Sequence, residues 1–319
     1  MRKALVIGVD GYTESPLSGC VNDAYNLSAA LRINGDGSPN FDVRTITAPP
    51  VDLDKSQLME AVETLFSGDA DVALFYFAGH GQIEGSTDEG FLVTLDHKPK
   101  DPGVSLSTVL NLANRASGIR ARIIILDSCY SGGLGQVPVM QRPEMSTISE
   151  GVTILAACRA FEAAGEENGA GVFTSLVVDA LSGGAADLCG NITPGSIYAY
   201  VDQALGPWEQ RPVFKTNVSR FTSLRSVPAK VPLNTLRRLP TFFPEPESQF
   251  LLDPSYEHTT ESGDPERQAI FRELQNCNRV GLVIPEGAQD MYWAAMESKA
   301  CRLTALGYHY WRLAKKNRI

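Results

Sequence analysis

Two side chains in this sequence have the chemistry of a nucleophile and its proton carrier. They are the imidazole of His80, in Phe77-Ala78-Gly79-His80-Gly81, and the thiol of Cys129, in Leu126-Asp127-Ser128-Cys129-Tyr130-Ser131-Gly132-Gly133. A thiol attacks best as its thiolate, and an imidazole beside it can move the proton and later hand one to a leaving group. Each residue closes an apolar run: Val72-Ala73-Leu74-Phe75-Tyr76-Phe77 precedes the histidine, and Ile123-Ile124-Ile125-Leu126 precedes the cysteine. Short runs rich in β-branched and aromatic residues read as strands buried on both faces. Strands of a parallel sheet would deliver both side chains to one edge, at their carboxyl ends, where open α/β sheets build their sites. Taken singly, His80 also reads as a surface-turn histidine and Cys129 as a small core residue. Their matched placement at two strand ends is what sets the pair apart.

The elements that must position them follow from the pattern around them. Lys3 to Val9 is a first buried strand, left by the loop Gly8-Val9-Asp10-Gly11-Tyr12. Gly19-Cys20-Val21-Asn22-Asp23-Ala24 opens a helix to about Ile33, with Asn22 or Asp23 as its cap, and Asn34-Gly35-Asp36-Gly37 ends it. A strand over Phe41–Thr47, a helix over Asp54–Phe66 and the strand Asp71–Phe77 come next, then a short hairpin or flap over residues 83–96. A helix over Ser105–Ser117 and the strand Arg120–Leu126 lead to the cysteine. Residues 131–150 lack periodicity and read as a long functional loop. Val152–Ala157 is a strand, Val172–Leu181 and Thr193–Leu205 are helices, and Pro212–Thr216 is an edge strand. Strand and helix alternate, which predicts an α/β fold: a mostly parallel sheet with helices on both faces.

After Pro228 the composition shifts, and 228–265 is rich in proline with little pattern. Asp264 as cap and Pro265 at the first helical position open a helix to about Asn276. Arg279–Ile284 then reads as a strand, Gln289–Leu306 as a helix closed by Gly307, and Tyr308–Leu313 as a strand, a small second α/β unit with a parallel crossover. The expected division is a first domain over 1–232 and a second over 233–319. Pro285-Glu286-Gly287 ahead of the helix could offer backbone N–H groups to an anion, with Tyr292, Trp293, Tyr310 and Trp311 as aromatic faces. A plain aromatic core explains the same residues.

The whole chain narrows the classes further. At 319 residues with 43% hydrophobic content it has ample core, and its net charge of −9 disfavours DNA and other nucleic acid as partners. No apolar run approaches the ~20 residues of a membrane helix. No secretory signal follows Met1-Arg2-Lys3. Six cysteines lie far apart without a C-x-x-C pair, which fits neither a zinc site nor a disulfide scaffold and suggests a reducing cytoplasm.

His80 and Cys129 are 49 positions apart, close to the ~50 that separate histidine from nucleophile in caspases. With Phe75-Tyr76-Phe77-Ala78-Gly79-His80-Gly81 and Asp127-Ser128-Cys129-Tyr130-Ser131-Gly132, the chain resembles the caspase-like cysteine proteases, specifically their metacaspase branch. Gly19-Cys20-Val21-Asn22-Asp23-Ala24, the stretch Ala156 to Glu166, and Gly171-Val172-Phe173-Thr174-Ser175-Leu176 extend the resemblance over roughly residues 1–218. It implies a caspase-like fold in which Cys129 attacks the scissile carbonyl and His80 protonates the leaving amine. The backbone N–H groups of Gly81 and Cys129 would receive the oxyanion.

The resemblance also implies a specificity. Asp127 stands where caspases proper have glutamine, and metacaspases line their pocket with this aspartate and the one matching Asp23. Two carboxylates suit a cation, so the expected polypeptide substrate carries Arg or Lys before the cut. Tyr130 departs from the small or polar residue common after the nucleophile. No cofactor is expected. Many metacaspases need calcium, but Asp88, Glu89 and Asp96 match no calcium loop. Arg142, followed by Pro143, is the only basic residue of the 131–150 loop, which argues against maturation by self-cleavage there.

Bacterial proteins resembling this arrangement often act as effectors in antiviral defence or programmed cell death, switched on by a partner or by a small nucleotide-derived messenger, which as an anion would bind at the second domain. The rival readings are a catalytically silent caspase-like binding module and a different α/β enzyme such as a nucleotide-binding protein. Intact His80 and Cys129 disfavour the first, and the lack of a phosphate-binding glycine motif after Val6-Ile7-Gly8-Val9-Asp10-Gly11 disfavours the second.

Overall fold

The first apolar run, Arg2–Val9, forms strand β1, followed by β2 (Asp42–Ala48), β3 (Ala70–Glu84), β4 (Glu89–Lys98), β5 (Asp101–Ser105), β6 (Ile119–Tyr130), β7 (Val152–Ala156) and β8 (Val213–Asn217). The structure, a computed structural model, describes residues 1–84, 89–130, 148–157, 166–167, 170–206, 212–261 and 263–319; for 129, 130, 166, 167 and 170 it describes the backbone alone. The eight strands make one sheet, in the order β8-β7-β6-β3-β1-β2, with β4 added to the end of β3 and β5 to β4. β2, β1, β3, β6 and β7 run parallel, and β8 closes the edge antiparallel to β7.

Alternate residues of the central strands feed two cores, as the period of two requires. Leu5, Ile7, Phe75 and Phe77 face α2 (Lys55–Leu65) and α3 (Leu106–Arg115), which contribute Leu58, Val62, Val109 and Leu110. Ala4, Val6, Leu74 and Tyr76 face α1 (Cys20–Arg32), α4 (Val172–Asp179) and α5 (Pro194–Leu205), which contribute Leu27, Leu31, Phe173, Val177, Ile197 and Val201. The mainly parallel α/β sheet with helices on both faces is therefore as expected.

The helix starts show what side chains do locally. Asp54 and Gln57 form a capping box on α2, Ser105 caps α3, and Thr193 with Pro194 starts α5. The cap expected on α1 is different. Asn22 and Asp23 lie inside its first turn, and the capping position is Gly19, which has no side chain. Asp10, from the loop after β1, reaches over instead and accepts the N–H groups of Cys20 at 2.9 Å and Val21 at 3.2 Å.

The chain divides into two compact units, residues 1–186 with 191–227, and residues 187–190 with 228–319. The second contains α6 (Leu233–Phe242), β9 (Gln249–Leu251), α7 (Pro265–Arg279), β10 (Val283–Glu286), α8 (Met291–Met296), β11 (Ala300–Leu303) and α9 (Ala305–Lys315). α7 starts at Asp264-Pro265 as expected, but the prolines of 228–265 do not prevent order: that stretch holds α6 and β9. The expected parallel crossover is an antiparallel sheet, β9-β11-β10. The expected long helix stops after Met296, where Ser298 takes a left-handed φ of 49°, and the chain returns as β11. Gly307 is not a terminator. It lies in the first turn of α9, where an added Cβ would stand 1.9 Å from the Leu282 carbonyl oxygen. Tyr308–Leu313, expected as a strand, is accordingly helical. No helix among the described residues is long and apolar enough to cross a membrane.

Candidate active site

His80 lies near the end of β3, where that strand leaves its parallel neighbours. Its backbone is in register with Cys129 of β6, two pairs beyond Ala78 and Asp127. The side chain of Cys129 lies outside the described residues, as do Arg142, Pro143, Cys158 and most of the 131–150 loop. Gly81, the next residue, is buried between Tyr130 of β6 and Leu92 of β4, with which β3 pairs antiparallel from that point on.

The imidazole is half-buried, and its Nε2 lies 2.7 Å from the Ser15 carbonyl oxygen. A carbonyl only accepts, so Nε2 carries the hydrogen and Nδ1 is left as the basic nitrogen of the neutral ring. Ser15 holds its carbonyl there from a left-handed φ of 59°. Tyr12, from the same loop, accepts the His80 backbone N–H at 3.0 Å and donates its hydroxyl to the Val93 carbonyl at 3.1 Å. Neither Tyr12 nor Ser15 stands out in the sequence. The useful part of Ser15 is a backbone carbonyl, and the only signal from Tyr12 is an aromatic residue in a loop otherwise rich in Gly and Ser.

The two carboxylates expected to share a pocket are both buried and both engage the start of α4. Both Asp23 oxygens accept the N–H of Gly171, at 3.0 and 3.2 Å. Asp127 Oδ2 accepts the Thr174 hydroxyl at 2.7 Å, and that hydroxyl lies 2.6 Å from the phenol of Tyr76. Gly171 is the capping position of α4 and Thr174 lies in its first turn, so two negative charges meet the positive end of a helix. Burial, followed by the nearby Asp10, Asp127 and Asp23 carboxylates, pushes the Cys20 thiol pKa up. Asp23 and Thr174, with Asp179, also line a cavity of about 250 Å³; Asp127 is not among its lining residues.

The residues considered for calcium are spread over separate tasks. Glu89 accepts the Ser107 N–H, Asp96 accepts the Lys55 N–H at the start of α2, and Asp88 lies outside the described residues. Among the described residues no group of three or more His, Cys, Asp or Glu is placed to hold a metal ion.

In the second unit the four aromatic residues do not form one face. Trp311 is a correction: it is 7% exposed, packs in the core with Phe243 and Leu274, and gives its indole N–H to the Phe243 carbonyl at 2.7 Å. Tyr310 is partly buried, while Tyr292 and Trp293 are exposed and adjoin each other edge-to-face. The helix start expected to meet an anion is already capped by Asp290, which accepts the Trp293 N–H.

Residues 1–223 match the family model of the Caspase domain. The chain belongs to the caspase family. That family is one of cysteine endopeptidases, and the resemblance to its metacaspase branch also extends to curated proteins. The chain is 27% identical over 167 residues to Metacaspase-1A of Neurospora crassa, covering 43% of this chain and 33% of that protein. It is 28% identical over 158 residues to Metacaspase-1 of Cryptococcus neoformans, covering 45% and 34%. The chain thus spans about a third of the length of these relatives. Among solved structures, Caspase-1 from Spodoptera frugiperda superposes with a TM-score of 0.50 at 15% identity, over 71% of this chain and 90% of that one. A protein from Geobacter sulfurreducens gives 0.51 at 15% identity, over 71% and 100%. At that identity the likeness is one of fold alone, and for Caspase-1 that fold is the caspase fold.

Proposed function

We propose that this caspase-family chain is a cysteine endopeptidase in which Cys129 is the nucleophile and His80 the proton carrier, cutting after Arg or Lys. The observation that carries the reading is the register of His80 with Cys129 on neighbouring parallel strands, with the imidazole held by its Nε2. In the first step the thiolate sulfur forms a bond to the scissile carbonyl carbon and its oxygen becomes an oxyanion, received by the N–H groups of Gly81 and Cys129. The intermediate collapses as His80 protonates the departing amine. Water, activated by the then neutral imidazole, hydrolyses the thioester and restores the thiol.

The preference for a cation rests on Asp23 and Asp127, two buried carboxylates at one helix start. An arginine side chain entering the cavity that Asp23 lines would bring its planar fork to that carboxylate, with Asp127 hydrogen-bonded to Thr174 of the same lining. The second unit is proposed as the regulator, with a small anionic messenger or a partner as the signal and defence or programmed cell death as the setting. Its exposed Tyr292 and Trp293 remain the candidate contacts; support for the setting is resemblance alone.

Fluorogenic peptides with Arg, Lys or Asp before the cut test the reading, with and without a panel of nucleotides. A peptidyl-arginine chloromethyl ketone, followed by intact mass, covers the case in which the protein is silent without its signal. Cys129→Ala and His80→Ala should each lower Arg and Lys cleavage by on the order of 10²–10⁴ or more, and Cys129→Ala should abolish labelling. Undiminished turnover by Cys129→Ala would remove the nucleophile, and a wild-type preference for Asp would remove the pocket.

A further inference from the structure

The loop between β1 and α1 does more than connect them. Its start is tied down at Asp10, whose backbone N–H is given to the Ala48 carbonyl at 2.8 Å. The Asp10 carbonyl accepts the N–H groups of Tyr12 and Leu17 at 2.9 and 3.0 Å, and its carboxylate holds the start of α1. From this anchored base Tyr12 reaches into the core, where it is 3% exposed. Its hydroxyl has a partner on each side, the His80 N–H and the Val93 carbonyl, and its ring lies 4.5 Å from the imidazole, tilted by 49°. Burial pushes the phenol pKa up, so the hydroxyl keeps the proton that it donates to Val93.

The glycine before the histidine belongs to the same arrangement. A Cβ added to Gly79 would stand 2.6 Å from the Tyr12 hydroxyl and 3.0 Å from the ring of Phe77. The tyrosine is fixed by two hydrogen bonds in a packed core, so it cannot swing aside cheaply. Gly79 therefore leaves the space that the Tyr12 hydroxyl occupies.

We infer that Tyr12 is a positioning residue for His80: its hydroxyl fixes the histidine backbone and its ring packs one side of the imidazole, so that Nε2 stays on the Ser15 carbonyl and Nδ1 stays directed to its task. The inference rests on His80 being the proton carrier for its catalytic consequence, though not for the geometry itself. Without the tyrosine hydroxyl the backbone N–H at 80 loses its acceptor, and the ring is free to leave Ser15. A displacement of about 1 Å at a reacting group costs on the order of 10²-fold in rate.

Tyr12→Phe keeps the ring and removes both hydrogen bonds. It should lower kcat on Arg peptides about 10- to 100-fold with KM little changed. In ¹⁵N-resolved imidazole spectra the His80 signal should change from a single Nε2–H tautomer to a mixture. Gly79→Ala, which keeps the hydroxyl but pushes it, should do the same to both readouts. It serves as the second variant if Tyr12→Phe unfolds, and the pair of folded signatures separates positioning from general loss of structure. Wild-type kcat together with an unchanged His80 tautomer signal in either folded variant would overturn the inference. If His80→Ala keeps full activity the catalytic reading falls instead, and the tautomer measurement still decides the role of Tyr12.

Discussion

At the scale of single residues, burial raises the thiol pKa of Cys20, Cys189, Cys277 and Cys301 alike. Burial pushes the Cys277 and Cys301 thiols up to about 12, and Cys20 is pushed up by burial and three neighbouring carboxylates. At neutral pH the Cys277 and Cys301 thiols hold a thiolate fraction of only about 10⁻⁴ to 10⁻⁵, and thiolate is the form that alkylates. Iodoacetamide at pH 7.5 should therefore label Cys129 well before Cys20, Cys277 or Cys301, as read by peptide mass mapping. Equal labelling of Cys20 and Cys129 would count against a specially reactive nucleophile. Thr174 invites a second test. Its hydroxyl is the donor to Asp127 and touches the Tyr76 phenol, so Thr174→Val removes one buried hydrogen bond from each. Urea unfolding should show a loss of about 1–3 kcal/mol. Cleavage after Arg should fall while the order Arg and Lys over Asp is kept, since Asp127 itself remains.

Between elements, α1 approaches β1 very closely near the site. A Cβ on Gly8 would lie 2.1 Å from the Cys20 carbonyl oxygen and 2.8 Å from the Ala24 Cβ. The first of these is helix backbone, so Gly8→Ala must push α1 off the sheet and carry Asp23 with it. Overpacking of this kind costs about 1–3 kcal/mol; a lower Tm with reduced Arg cleavage is expected, and an unchanged Tm would show that α1 can slide freely. The same elements explain what could be read from the sequence. β1, β3 and β6 are buried on both faces, so they appear as plain apolar runs, and the local caps Asp54, Ser105, Thr193 and Asp264 mark their helices directly. His80 and Cys129 stood out as candidates because each follows such a run. The cap of α1 was not, because Asp10 acts from ten residues away. The second unit was read poorly because β9, β10 and β11 have only three or four residues each, too few for a period to show, and because Gly307 answers to the Leu282 carbonyl, a contact with no local signature.

For the whole molecule, the two units have cores of their own, one pair on the faces of the large sheet and a third around Phe243, Leu274 and Trp311. This changes how the proposed switch must be tested. Trp311 and Trp293 looked equivalent in the sequence, yet one is 7% and the other 41% exposed. Trp311→Ala removes a core ring and its hydrogen bond to the Phe243 carbonyl, at a cost of about 3–5 kcal/mol, enough to melt a small unit. Trp293→Ala removes an exposed ring and should leave the Tm nearly unchanged. A signal that shifts an inactive–active equilibrium from 1:99 to 99:1 must bind one state more tightly by about 5.5 kcal/mol, and it can do so only through groups it touches. If the second unit is the switch, Trp311→Ala should uncouple cleavage from the signal, leaving activity fixed at one level. Trp293→Ala should keep the response and shift it to higher activator concentration, with the same preference for Arg and Lys. Thermal unfolding followed beside peptide cleavage, across a titration of nucleotides, separates the two variants. A wild-type chain fully active with no additive, and equally active in both variants, would show that the second unit does not control cleavage.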